Sequence, residues 1–110
     1  MIHTVHSKVT PEDISKMLAA LKDYIKVAVD VRKGILAGGG VMHADCEAKL
    51  LEAGSEQKDI WGADWYPKTK TIGFESLINI RPRQKNRSLE IKDGEIKTDV
   101  EKIIRKLLQT

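Results

Sequence analysis

IKVAVDVRKGILAGGG, residues 25 to 40, decides how this chain folds. Ile25, Val27, Val29 and Val31 alternate with Lys26, Ala28, Asp30 and Arg32, the period of two that gives a strand one apolar face. Lys33-Gly34 predicts a tight reversal, although lysine is an unusual first residue for a two-residue hairpin loop. The run ILAGGGVM then returns as a second strand. Gly38, Gly39 and Gly40 offer it no side chains to pack, so a bulge or a close backbone approach is expected there. A hairpin implies a sheet, and its flanks must supply what covers it.

On the N-terminal side, IHTVHSKV (residues 2 to 9) mixes β-branched and polar residues and predicts a short first strand. Thr10-Pro11-Glu12-Asp13 then starts a helix. Thr10 can cap free amides, Pro11 suits the first helical position, and the acids favour the positive end of the dipole. Ile14, Met17, Leu18 and Leu21 form its apolar stripe.

On the C-terminal side, HADCEAKLLEAGS (residues 43 to 55) predicts a helix that Gly54 ends in a left-handed conformation. Residues 60 to 66 and 71 to 81 predict two strands joined by Pro67-Lys68-Thr69-Lys70. In the second, Ile72, Phe74, Ile78 and Ile80 share one face, and Glu75, Leu77, Asn79 and Arg81 the other. Ile96, Val100, Ile103, Ile104 and Leu107 give a closing amphipathic helix, with Glu101 and Arg105 spaced for a surface pair.

The order β-α-β-β-α-β-β-α implies a single α+β domain over residues 1–110. Its sheet should be mainly antiparallel, with three helices packed on one face, because three apolar stripes need a common surface. The other face would then carry Lys26, Asp30, Glu75, Asn79 and Arg81, open to water or a partner.

A chain of 110 residues suits one domain. With 41% apolar and 32% charged residues it reads as neither a disordered tail nor a membrane protein. No apolar run approaches the roughly 20 residues of a spanning helix. The start, MIHTVHSKVT, lacks an apolar core and predicts no export signal. Cys46, the only cysteine, precludes an internal disulfide and makes a reducing compartment, the cytoplasm, the expected location.

The net charge of +3 is weak evidence for a polyanionic partner, but it is unevenly spread. Residues 43 to 59 hold five acids against two lysines. INIRPRQKNRS, residues 78 to 88, holds Arg81, Arg83, Lys85 and Arg87 with no acid among them. Pro82 should stop the strand and leave a basic loop from Arg81 to Ser88. Arginine forks match oxyanions, and Asn86 and Ser88 add neutral donors. The bland alternative is a solvated loop whose arginines pair with acids such as Glu75 or Glu90.

Other motifs favour structural roles. AGGGVMHAD places glycines before a helix, as phosphate cradles do, but it fits no nucleotide-binding pattern, and Asp45 and Glu47 would repel an anion. His43, Asp45 and Cys46 lack the further donors that a zinc site needs, and His3 and His6 fall on opposite strand faces, so no metal is expected. His43 suits proton transfer, although a lone histidine at a helix start more often bonds locally. Trp61 and Trp65 share a strand face and suit a core better than a base-stacking platform.

At GGGVMHAD, LLEAGSEQKDIWGADWYP and SLINIRPRQKNRS the chain resembles a small prokaryotic family known only as a domain of unknown function. The resemblance covers nearly the whole chain, and residues 34 to 88 are its specific part. It implies a one-domain cytosolic protein and carries no activity, cofactor or partner.

Three functions follow as expectations. The first is binding of a phosphate-bearing ligand, a nucleotide or RNA, through Arg81, Arg83, Asn86, Arg87 and Ser88. The second is a phosphodiester-cleaving enzyme in which His43 or Glu75 moves the proton beside the arginines. The third is an interaction domain, a homodimer among its forms, acting through the open sheet face or an edge strand. No cofactor is called for.

Overall fold

In the computed structural model, which describes residues 2–110, the central hairpin forms as its alternation requires. Strands β2 (Ile25–Asp30) and β3 (Ile35–Gly40) pair antiparallel. The reversal takes four residues, not two. Gly34 (φ +70°) donates its amide to the Asp30 carbonyl at 2.9 Å, and the Asp30 carboxylate accepts from the amides of Arg32 and Lys33. An aspartate bonding its own turn thus overrides the Lys-Gly signal. The glycines act in both expected ways. The register slips between Lys26 and Val27, opposite Gly39 at φ +102°, and a Cβ on Gly38 would lie 2.9 Å from Val27 Cγ1.

Strand β1 (His3–Val5) joins β3, β4 (Ile60–Tyr66) joins β2, and β5 (Thr71–Gly73) joins β4. The order is β1-β3-β2-β4-β5, antiparallel throughout. The helices are α1 (Pro11–Met17), α2 (His43–Glu52) and α3 (Gly94–Leu108). This is the α+β class that the sequence implies. Thr10 and Asp13 cap α1 reciprocally, Gly54 follows α2 at φ +98°, and Arg105 meets Glu101 at 2.9 Å. No described helix is long and apolar enough to cross a membrane.

The three helices do not share one face. Helices α1 and α3 close the first, packing Ile14, Met17, Val100, Ile104 and Leu108 against Val27, Val29, Leu36, Trp61 and Trp65. Helix α2 closes the second, setting Cys46 and Leu50 on Ala28, Ala37 and Ile60. Small residues at the sheet centre make the second seat, since a helix can approach closely where side chains are short. Lys26 and Asp30 flank Ala28 and gave that face a polar reading, yet Asp30 is fully buried and accepts the Ser55 hydroxyl at 2.6 Å. Both tryptophans are core, as their spacing suggested.

Nor does a strand run from 71 to 81. Strand β5 ends at Gly73; Phe74 and Ser76 then pair with Ile91 and Leu89, and Leu77–Asn79 make a short 3-10 turn. Asn79 explains the departure. Where β5 leaves β4, the Gly62 amide and carbonyl need partners, and the buried Asn79 side chain supplies both, at 2.8 and 3.0 Å. Its amide nitrogen also donates to the carbonyls of Leu89 and Phe74. One side chain thus stands in for a neighbouring strand. Glycine is required opposite it, because a Cβ at residue 62 would lie 2.6 Å from Ser76 Cβ.

Candidate anion-binding cleft

Beyond Pro82 the basic loop closes on itself. Arg81 and Asn86 exchange backbone hydrogen bonds, Pro82–Gln84 form a 3-10 turn, and Lys85 takes a left-handed φ of +59°. This puts Arg83, Gln84 and Lys85 at an exposed tip. Inside it, the buried Asn86 amide nitrogen donates to the carbonyls of Asn79, Ser88 and Glu90, and its oxygen accepts from Lys92. The Ser88 hydroxyl donates to the Glu90 carbonyl at 2.9 Å. Both neutral residues of the expected site are therefore engaged within the loop.

Arg81 is engaged as well. Its Nε donates to the Ile78 carbonyl, Nη1 to the Gln57 carbonyl and Gln84 Oε1, and Nη2 to the Ile60 carbonyl and Glu47 Oε2. Those are all five donors of a guanidinium. The partnering acid is Glu47, on α2, at 2.9 Å, not Glu75 or Glu90. Burial lowers the Arg81 pKa below the ordinary arginine value and the Glu47 charge opposes it. Arg81 pins the loop to α2 and β4. Arg83 and Arg87 are exposed and, among the described residues, have no ion-pair partner.

The loop borders a cleft of about 660 Å³ between itself, α2 and the 57–59 turn. Leu77, Ile78, Ile80 and Pro82 form its apolar wall; Glu47, Arg81, Arg83 and Lys58 bring charge. With Glu47 matched by Arg81, Arg83 and Lys58 have no ion-pair partner among the described residues.

His43 and Glu75 line a second cleft of about 250 Å³, which meets the first at Leu77 and Ile78. The structure brings these two together and leaves the arginines next door. At the start of α2, His43 Nε2 lies 2.9 Å from Asp64 Oδ1 and 3.0 Å from the Ala63 carbonyl. Both are acceptors, so Nε2 carries the hydrogen and Nδ1 has no partner among the described residues. Lys26, opposite Asp64 in the sheet, lines the same cleft. Sequence reading passed over Asp64, although a lone acid inside the apolar strand IWGADWY signals a carboxylate with a partner.

Cys46 is buried, which raises its thiol pKa and makes it inert. Among the described residues, no three His, Cys, Asp or Glu side chains gather as a metal site needs.

A family model described as "Protein of unknown function (DUF5674)" matches residues 3–107, so the chain belongs to that family. No curated protein and no solved structure matches it.

Proposed function

We propose that this member of the DUF5674 family is a binding module for a phosphate-bearing ligand, a nucleotide or a segment of RNA, held beside the basic loop. One observation supports the reading: the 660 Å³ cleft joins uncompensated Arg83 and Lys58 to an apolar wall of Leu77, Ile80 and Pro82. Ligand pockets commonly measure roughly 300–1,000 Å³ and combine apolar walls with few polar groups. The wall takes a base or sugar and the cations take phosphate; Arg87, exposed on the same loop, does not line the cleft. Arg81, Asn86 and Ser88 serve by holding the loop's shape. The reading suits a cytoplasmic protein.

The test is a titration of fluorescein-labelled single-stranded oligonucleotide and of mononucleotides. The double substitution Arg83→Ala, Lys58→Ala should weaken binding about tenfold or more, as loss of charge-assisted contacts does. Oligonucleotide affinity should also fall steeply with salt. Absence of binding by either ligand, or binding indifferent to the double substitution, ends the reading.

A second reading, a protein-docking domain, has one observation in its favour. Among the described residues, the exposed large apolar side chains, Val41, Met42, Leu51, Leu77, Ile80 and Leu89, all belong to α2, the turn before it or the 77–89 segment. That relocates the interaction surface from the sheet face, which is covered, to its cover. For a homodimer, light scattering should show mass rising with concentration; a constant monomer mass ends that version.

A further inference from the structure

We infer that the smaller cleft is an acid–base site that cleaves the phosphodiester backbone of single-stranded RNA, an inference that rests on the phosphate-binding reading above. Three groups of complementary chemistry line it: His43, Glu75 and Lys26. Glu75 is exposed, and neither it nor Lys26 has an ion-pair partner among the described residues. His43 is held from behind by Asp64 and the Ala63 carbonyl, so its ring is fixed with Nδ1 left over. When protonated, the ring is ion-paired with Asp64 and offers an Nδ1–H.

An acid, a base and a cation suffice when the nucleophile belongs to the substrate, and RNA carries one in the ribose 2′-hydroxyl. Glu75 takes the 2′-hydroxyl proton as the 2′-oxygen forms its bond to phosphorus. The bond from phosphorus to the 5′-oxygen breaks, and that oxygen takes the proton from His43 Nδ1. Lys26 stabilises the charge gathering on the non-bridging oxygens. Solvent then returns a proton to His43 and removes one from Glu75. The products are a 2′,3′-cyclic phosphate and a 5′-hydroxyl, with no net change in protons or electrons. The shared wall at Leu77 explains the pairing of clefts: a chain crossing it sets one phosphate on Arg83 and Lys58 and another before Lys26. Asp64 is a positioning residue, acting through His43.

The experiment uses the full chain and two oligonucleotides of one sequence, one ribo and one 2′-deoxy, which lacks the nucleophile. The expected result is binding of both, cleavage of the ribo form alone to cyclic-phosphate ends, and a loss of about 100-fold or more in Glu75→Gln and His43→Gln, the range for removing a general base or acid. Asp64→Asn should lower kcat with KM unchanged and the fold intact by circular dichroism, a split that a purely structural role would not give. Should His43→Gln fail to fold by circular dichroism, Glu75→Gln carries the test, because that side chain is exposed. Binding of the deoxy form with the ribo form left intact overturns the inference and spares the binding reading. Absence of both binding and cleavage overturns the two together. Cleavage at equal rates in the wild type and Glu75→Gln also overturns it.

Discussion

The two faces of the sheet are sealed by different physics. Helices α1 and α3 cover the first with oil: valines, isoleucines, leucines and two indoles packed side to side. Helix α2 and the 3-10 turn at 77–79 cover the second, and that cover is organised by hydrogen bonds that Asn79, Asn86, Arg81 and Asp30 make. Apolar packing is tolerant of detail and scales with area, whereas a buried polar network stands only while every member is satisfied. The tolerant face holds no candidate site. Both clefts lie on the exacting one, since fixed polar side chains can hold a loop and its charges in one geometry.

Substitutions on the two sides can break this contrast. Trp65→Ala should cost about 3–5 kcal/mol, as truncating a buried aromatic does, and loosen amide exchange across the whole sheet. Asn79→Ala should cost about 2–4 kcal/mol, because Gly62 is left with unmet polar groups. Its exchange should rise mainly at Gly62 and residues 74–91. Urea melts and hydrogen exchange read both. An Asn79→Ala cost below about 1 kcal/mol would mean that burial alone seals the second face.

A finer test concerns the Arg81–Glu47 ion pair in that cover. Arg81→Met should cost about 2–4 kcal/mol, because it strands the Glu47 carboxylate and several carbonyls. Adding Glu47→Leu should restore part of the loss, for a pair replaced by apolar residues costs less than one partner left alone. Urea midpoints of the two single and the double variants give the coupling. Additive losses would show that the pair itself does not hold the loop.

The smallest effect lies at the rim of the first face. Hydrogen bonding by Thr10, its backbone amide above all, holds the Asp13 carboxyl below the ordinary aspartate value. A depressed folded value means that the cap contributes above the ordinary aspartate pKa and that its contribution is lost as pH falls through the folded value. Urea midpoints measured down that range should fall less steeply in Asp13→Asn than in the wild type. Equal slopes would show that this cap does not couple α1 to acid stability.

The contrast also explains what could be read from sequence. Period-two alternation found β2, and period-3.6 stripes found α1 and α3, because apolar packing writes itself as spacing. The Thr10 cap and a bulge among Gly38, Gly39 and Gly40 were legible as local chemistry. Asn79 was not: it looked like an outward residue on a strand, and its four bonds go to residues 62, 74 and 89, a relation with no local signature. Arg81 was legible as a site residue by type, but its partner Glu47 lies 34 positions away. His43 and Glu75 were picked out separately; only the fold sets them in one cleft with Lys26, and Asp64 behind His43.

Helix α3 has a consequence for the order in which the protein is made. Trp61 and Trp65 leave the ribosome before Val100, Ile104 and Leu108, which cover them, and Val9 gives its amide to the carbonyl of Leu107 at 3.0 Å. The second face can close earlier, because α2 lies between the strands that seat it. A growing chain therefore holds both indoles without their α3 cover from the addition of Trp65 until Leu108 is in place, and over that interval its first face is open to non-native contacts.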